Sequence, residues 1–176
     1  MGAHFTVGRG ALRSLLARYV GACPSQLELG YAPQGKPLLL GHDLPFNVAH
    51  SHGLALVAIA PGRPVGVDLE RVRDLPAATA IAERFFSPAE RARLAAAPPV
   101  LRMAQFLRLW TRKEAYLKAT GGGLGWGRAL ASVDADRAAI DDWRLCDLDV
   151  DEQHAAALAV EGSGWTLRTF TWEQPT

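Results

Sequence analysis

The sequence has few cysteines, almost no net charge and no long apolar run. Cys23 and Cys146 are the only two cysteines in 176 residues, and their wide separation argues against a disulfide framework or a cysteine-based zinc site. The formal net charge is +1, from 19 basic and 18 acidic residues, which gives no overall field for a nucleic acid or an anionic membrane. No segment has the pattern of a signal peptide or a membrane span. We therefore expect a soluble cytoplasmic protein without nucleic-acid or membrane partners.

Apolar residues make up 49% of the chain, which is enough to close a core in one domain or two small half-domains. The helical spacing of these residues predicts four helices, at 5–19, at 76–85, from Pro88 onward and at 101–120. Ser87 is expected to cap the third helix through a capping box with Glu90. The glycines at 121–123 are expected to end the fourth.

Extended segments alternate with these helices. Strands are predicted at 27–31, 46–50, 54–60, 64–70, 131–133, 143–148, 154–160 and 165–172. Turns at His52-Gly53 and Pro61-Gly62 leave short connections, which favour antiparallel neighbours. Because both halves of the chain show a similar order of elements, we expect an α+β (α/β) fold in one domain, 1–176. Its two pseudo-symmetric half-domains, about 1–75 and 76–176, would each be a small, mainly antiparallel sheet packed with helices, with a ligand in the cleft between them.

Two carboxylates end the apolar strand at 64–70. Asp68 and Glu70 are two positions apart, so the alternation of a strand places both on one face. A hard divalent cation, Mg²⁺ or its substitute Mn²⁺, would convert their mutual repulsion into coordination. The ordinary alternative is a strand end whose acids simply face water.

One face of the fourth helix combines an aromatic ring, a carboxylate and an ammonium group. Trp110, Glu114 and Lys118 repeat every four positions and therefore share this face. Alone, the pattern fits an exposed Glu–Lys pair beside a buried tryptophan. Together with Asp68 and Glu70, it predicts a Mg²⁺–pyrophosphate site with a cationic clamp.

The whole pattern resembles the surfactin-synthetase-activating (Sfp) type of 4′-phosphopantetheinyl transferase, and the resemblance extends from Arg13 to the C-terminal strands. It rests on five motifs that occur in the same order and at matching spacing. They are Gly35–Pro37, Phe46–Ser51, Val65–Glu70, Phe85–Ser87 with Glu90, and Trp110–Ala115 with Lys118 and Gly121. The resemblance implies a monomer of two pseudo-symmetric α/β halves, with coenzyme A in the cleft and Mg²⁺ on its pyrophosphate.

The resemblance also implies roles for the residues around the metal. Asp68, Glu70 and Glu114 match the family's metal-binding acids, and Glu114 also matches its general base. Lys118 matches the lysine that contacts the pyrophosphate, so we expect both Glu114 and Lys118 to act in catalysis.

A second group of residues matches the family's adenosine end. Lys36, His50 and Arg13 correspond to residues that hold the adenosine of coenzyme A and its 3′-phosphate, whereas His52 is expected to be structural. Ala49 departs from the pattern, because relatives often have a hydroxyl residue before the histidine. One hydrogen bond to the 3′-phosphate is therefore expected to be missing. The chain also begins where relatives usually have a further stretch with basic contacts.

The expected reaction is Mg²⁺-dependent transfer of phosphopantetheine from coenzyme A to a serine of an acyl or peptidyl carrier protein, with release of adenosine 3′,5′-bisphosphate. Arg102, Arg108, Arg112 and nearby apolar residues are expected to receive an acidic helix of the carrier. Two alternatives stay open at this point. One is a Mg²⁺-dependent hydrolase of nucleotide pyrophosphates, and the other is a non-catalytic homologue that only binds carrier proteins.

Overall fold

The computed structural model describes the backbone of residues 2–121, 130–131 and 134–172, with side chains from Gly10 onward. Its helices are α1 (Gly2–Val20), α2 (Ala78–Phe85), α3 (Pro88–Ala96) and α4 (Pro99–Thr120). Its strands are β1 (Leu29–Tyr31), β2 (Pro37–Leu39), β3 (Phe46–Ser51), β4 (Leu54–Ile59), β5 (Val65–Arg71), β6 (Ala139–Ile140), β7 (Trp143–Asp147) and β8 (His154–Glu161). Within these residues, no helix is both long and apolar enough to cross a membrane.

The strands form three antiparallel sheets. β1 pairs with β2, β3 pairs with β4, and the largest sheet has the order β5-β8-β7-β6. Helices and antiparallel sheets in one chain confirm the predicted α+β class. β5 lies in the first of the two expected half-domains, about 1–75, but it pairs along its whole length with β8, which lies in the second. The pairing runs from Val65 opposite Val160 to Arg71 opposite His154.

Local sequence signals explain several boundaries. The turn between β3 and β4 has positive φ at both His52 (45°) and Gly53 (88°), which is the geometry that matches the twist of a tight hairpin. The capping box of α3 is present, since Ser87 and Glu90 exchange side-chain and backbone hydrogen bonds. Gly121 ends α4 in the left-handed conformation, with φ of 71°.

The four-stranded sheet has helix α4 on one face and the β3–β4 hairpin on the other. On the α4 side, Ala115 and Ala119 pack against Ala157 and Ala159 of β8. On the opposite side the alternate strand residues, Val65, Val67 and Leu69 among them, pack against β4. A separate core forms where α1 and the β1–β2 hairpin cover the far side of β3 and β4. Asp68 and Glu70 therefore point towards α4.

Some predicted elements differ from the structure. The segment 165–172 was expected to be a strand but has no backbone ladder within its described residues, so this prediction was wrong. Strand propensity reports how well side chains fit a pleated surface and needs a neighbouring edge to become a strand. Trp165 instead packs on the core beneath the sheet, and Trp172 lies under the guanidinium of Arg18.

Two other segments also depart from expectation. Ala131, placed in a predicted strand, is helical in the structure, while residues 132–133 of that strand lie outside the described residues. The short strands β2 and β6 carried no sequence signal that set them apart from turns.

Candidate active site

The two acids of β5 lie where α4 crosses the sheet most closely. A Cβ atom placed on Gly66 would lie 2.1 Å from the carbonyl oxygen of Ala115 and 2.4 Å from the amide nitrogen of Ala119. Only glycine permits this approach. Because side chains alternate along the strand, Asp68 and Glu70 lie on the same face as Gly66 and point towards α4.

Helix α4 supplies the opposite wall of the site. Glu114 and Lys118 are four residues apart on the face that looks at β5, as the sequence predicted. The Lys118 ammonium donates a 2.6 Å hydrogen bond to Asp68 Oδ1 and a 3.3 Å hydrogen bond to the carbonyl oxygen of Val67. The structure thus brings Asp68, Glu70, Glu114 and Lys118 into one cluster.

The three carboxylates share an environment that disfavours their charge. Burial raises the pKa of Asp68, and the neighbouring Lys118 only partly offsets this rise. Burial also raises the pKa values of Glu70 and Glu114, and the charge of Asp68 raises both further. Arg73 and Lys118 only partly offset the rise for Glu70, so like charges packed this closely favour a further cation.

One oxygen of Asp68 shows where such a cation fits. The residue is only 6% exposed, and its Oδ2 is buried without a hydrogen-bond partner among the described residues. A buried carboxylate oxygen is normally paired, so an orphan beside two other acids suits a hard divalent ion with oxygen ligands. Among the described residues, no three His, Cys, Asp or Glu side chains are arranged so that they could hold a metal ion as they stand. Lys118 pairs with the other oxygen of Asp68.

Lys36 reaches the same strand from the β1–β2 turn. Its ammonium donates to the carbonyl oxygens of Val65, at 3.0 Å, and Ala119, at 3.3 Å. Burial lowers the pKa of Lys36. This predicted phosphate-binding lysine therefore lies at the C-terminal end of α4, near the start of β5.

The other two predicted adenosine-binding residues lie in different places. His50 is exposed on β3, opposite Ala55 in the hairpin. The Arg13 guanidinium donates to the carbonyl oxygens of Pro24 and Leu27, which ties α1 to the loop that follows it. A contact between either residue and coenzyme A stays a prediction.

Of the three arginines expected to receive a carrier protein, Arg102 is exposed and Arg108 is partly exposed, so a docking role for these two stays a prediction. Arg112 has a side chain only 4% exposed and bonds to Asp147 and to two backbone carbonyls, so its assignment to a docking surface was wrong. Arg108 pairs with Asp136 and Asp147. The guanidinium of Arg102 donates to the carbonyl oxygen of Ala97, 3.2 Å away.

Several residues that matter to the site were missed in the sequence. Lys113, next to Glu114, is fully buried and pairs with the equally buried Glu90 at 2.9 Å. Asn47 and Ser51 of β3 accept hydrogen bonds from backbone amides of β5. The only available signal was their position inside the recognised motifs, because each side chain finds its partner far along the chain.

A surface pocket adjoins the acids at the end of β5. Its lining consists of Glu70, Arg71, Arg73, Leu75, Leu107 and Trp110. The predicted aromatic residue of the α4 face, Trp110, thus lies beside Glu70. The pocket gives the acidic cluster a neighbouring wall that is partly apolar and partly basic.

Comparison with known proteins identifies the family of the chain. Residues 64–169 match the family model described as the 4′-phosphopantetheinyl transferase superfamily. The 4′-phosphopantetheinyl transferase HetI of Nostoc sp. is 40% identical over 170 residues, covering 92% of this chain and 72% of that protein. AcpT of Salmonella typhimurium is 35% identical over 138 residues, covering 78% and 69%. Sfp of Bacillus subtilis is 33% identical over 126 residues, covering 69% of this chain and 54% of Sfp.

Proposed function

This chain belongs to the 4′-phosphopantetheinyl transferase superfamily, and from that premise we propose that it transfers phosphopantetheine from coenzyme A to a serine of an acyl or peptidyl carrier protein. The observation that carries the proposal is the acidic cluster of β5 and α4, with its orphaned Asp68 oxygen. The chain spans only about half of the length of some relatives, such as Sfp, so the activity of the whole protein is part of the proposal.

Asp68, Glu70 and Glu114 are the residues that would hold Mg²⁺. When bound, the ion supplies positive charge that stabilises the pyrophosphate and its departing half. Lys118 lies 2.6 Å from Asp68, close enough to give a second positive charge to the same phosphates. We assign Lys36, His50 and Arg13 to the adenosine end of coenzyme A, away from the bond that breaks.

Glu114 is the proposed general base. Its carboxylate accepts no hydrogen bond from the described residues, so its oxygens are available to accept a proton. It would remove the proton from the carrier serine. The serine oxygen forms a bond to the phosphorus next to pantetheine, and the bond from that phosphorus to adenosine 3′,5′-bisphosphate breaks.

The mass of intact carrier proteins tests this proposal. Several apo-carriers are incubated with the protein, coenzyme A and Mg²⁺, and we expect the mass of one phosphopantetheine to be added to at least one of them. EDTA is expected to abolish the transfer, and Mg²⁺ or Mn²⁺ to restore it. Full transfer in metal-free buffer would contradict the assigned metal site. Release of free phosphopantetheine without any acceptor would instead identify a hydrolase.

A further inference from the structure

Lys36 ties helix α4 to strand β5 at the point where the two elements come closest. Its ammonium donates to the carbonyl oxygen of Val65, at 3.0 Å, and to that of Ala119, at 3.3 Å. Val65 precedes Gly66 on β5, and Ala119 is the residue of α4 whose amide nitrogen would lie 2.4 Å from a Cβ atom on Gly66. The two hydrogen bonds therefore span the close contact that the glycine permits.

The backbone of Lys36 is held in place by the turn that joins β1 to β2. The amide of Ala32 donates a 2.8 Å hydrogen bond to the Lys36 carbonyl oxygen, and the amide of Gly35 donates one of 2.8 Å to the Ala32 carbonyl oxygen. Gly35 has φ of 85°, a conformation that other residues rarely adopt. The Lys36 side chain thus extends from a fixed base to an acceptor 83 residues further along the chain.

The two acceptors of Lys36 lie where regular secondary structure supplies no partner. Ala119 is in the last turn of α4, where carbonyls have no partner within the helix and the helix dipole favours a positive charge. The Pro64 carbonyl accepts from the amide of Glu161, at the end of β8, so alternation turns the Val65 carbonyl to the opposite edge of β5. One ammonium group thus satisfies a carbonyl of each element.

Lys118 belongs to the same turn of α4. It precedes Ala119, and its own ammonium donates to the Val67 carbonyl oxygen and to Asp68 Oδ1. We propose that Lys36 is a positioning residue, whose ammonium holds the last turn of α4 against β5 and thereby places Lys118 beside Asp68. The inference rests on the proposed function, which gives the acidic cluster its part in the transfer. It adds to the role of Lys36 at the adenosine end, because an ammonium has three N–H donors and these carbonyls engage two.

Arg63 provides a matched comparison, because it also joins separate segments through backbone carbonyls. Its guanidinium donates to the carbonyl oxygens of Glu161 and Ser163, each at 3.3 Å. These bonds connect the turn before β5 to the end of β8 and the loop after it, and they do not involve α4. Loss of either cation removes two hydrogen bonds to the backbone, but only the loss of Lys36 lets the last turn of α4 move relative to β5.

Kinetics of Lys36→Met and Lys36→Arg test the positioning role. Methionine keeps an unbranched side chain without the ammonium, whereas arginine keeps a positive charge and N–H donors. Steady-state rates with an apo-carrier separate kcat from the KM for coenzyme A. We expect Lys36→Met to lower kcat at saturating coenzyme A by about 10- to 100-fold, because a small displacement of a positioned group is enough for such a loss. Lys36→Arg is expected to recover most of this loss, and Arg63→Met to keep the kcat of the wild type.

Amide hydrogen exchange follows the helix end in the protein without coenzyme A. The amides of residues 117–120, the last turn of α4, are expected to exchange about fivefold faster or more in Lys36→Met than in wild type. Arg63→Met is expected to leave them unchanged. A lysine that only binds coenzyme A would instead raise KM while kcat and the exchange of these amides stay as in wild type, and that result would overturn the role of Lys36.

Two further outcomes complete the test. An equal loss of kcat in Arg63→Met and Lys36→Met would also overturn the positioning role, because it would reflect general loosening of the fold. A wild-type protein that modifies no carrier would refute the proposed transferase, whereas the exchange measurement would still decide whether Lys36 holds α4 against β5.

Discussion

Helix α4 carries the lysines of two acid–lysine pairs, Lys113 and Lys118, which lie five residues apart. The two pairs differ in how many of their polar atoms have hydrogen-bond partners. Lys113 and Glu90 are fully buried, and Glu90 also accepts from the amides of Ser87 and Ala135. Lys113 donates in addition to the carbonyl oxygen of Leu130 and lies over the ring of Phe86. This pair joins α3 and α4 to Leu130 and Ala135.

The second pair, Lys118 with Asp68, has incomplete hydrogen bonds, and we call it the open pair. The Lys113–Glu90 pair is the closed pair. Lys118 keeps 31% of its side chain exposed, and Asp68 keeps one buried oxygen without a partner among the described residues. Burial of a charge is costly unless its hydrogen bonds are complete, so a complete pair serves the fold and an incomplete one indicates a ligand. The comparison teaches that hydrogen bonding of the remaining carboxylate oxygens, rather than the ion pair itself, separates a pair that stabilises the fold from a pair that can bind a ligand.

The largest effect is expected at Glu114, which belongs to the acidic cluster around the open pair. Glu114→Gln keeps the shape but loses the charge and basicity, so kcat should fall by about 10²–10⁴-fold. Steady-state kinetics at saturating coenzyme A measure this change. Excess Mg²⁺ should recover part of the rate of Asp68→Ala but little of the rate of Glu114→Gln. If excess Mg²⁺ rescues both equally, Glu114 is a metal ligand only and the proton leaves by another route.

Neutralising one acid in each pair tests the comparison directly. Glu90→Gln leaves Lys113 buried without its charge partner, so the free energy of unfolding should fall by about 3–5 kcal/mol. Asp68→Asn should stay within about 1 kcal/mol of wild type, because Lys118 is partly solvated. Denaturant titration measures both. A larger loss of stability in Asp68→Asn than in Glu90→Gln would reverse the assignment of the two pairs.

Gly66→Ala should disturb the open pair while leaving the closed pair in place. The new methyl group meets the backbone of α4, and overpacking of this kind costs about 1–3 kcal/mol of stability. The helix must move away from β5, so transfer activity should fall along with the stability. Gly10→Ala is the control, since a Cβ there meets nothing within 4 Å and alanine suits the interior of α1. Unchanged activity in a folded Gly66→Ala protein would show that close contact between α4 and β5 is not required.

The smallest effect concerns pH. The pKa values of Asp68, Glu70 and Glu114 are raised on folding, so the folded state binds these protons more tightly than the unfolded state. The contribution of these acids to stability is therefore greatest at low pH and falls as pH rises above their ordinary pKa values, 3.8 for Asp68 and 4.5 for Glu70 and Glu114. Unfolding measured across this pH range should show a shallower fall in Glu114→Gln than in wild type.

Two controls accompany the pH measurement. Glu83→Gln, at an exposed position of α2, should leave the slope unchanged. Added Mg²⁺ should flatten the slope in the wild-type protein, because the ion offsets the repulsion among the three acids. An identical slope in wild type, Glu114→Gln and Glu83→Gln would mean that the cluster does not control stability in this range.

Much of the cluster was predictable from short spacings. Asp68 and Glu70 share a face because a strand alternates, and Glu114 and Lys118 share a face because a helix turns every 3.6 residues. The capping box at Ser87 and the His52-Gly53 turn were predictable for the same reason, since each depends on neighbours within four residues. These predictions are confirmed by the structure.

Partners far apart in the chain were not predictable in this way. Arg112 looked like part of a basic surface, yet its guanidinium is enclosed by the backbone of Ala135 and Arg137. Lys113 and Lys118 are both lysines of α4, yet Lys113 is buried against Glu90 and Lys118 faces the site. Adjacent helix positions point about 100° apart, so only the surrounding elements decide which of them meets solvent.

The sequence by itself determined most of the helices and longer strands, the family and the identity of the acids and the lysine that form the proposed site. The tertiary structure alone decided that β5 pairs with β8, that Asn47 and Ser51 hold its other edge, and that Gly66 lets α4 approach the acids. The reason is physical. Periodicity fixes which side chains share a face, but burial and hydrogen-bond completion depend on segments that fold against that face from elsewhere in the chain.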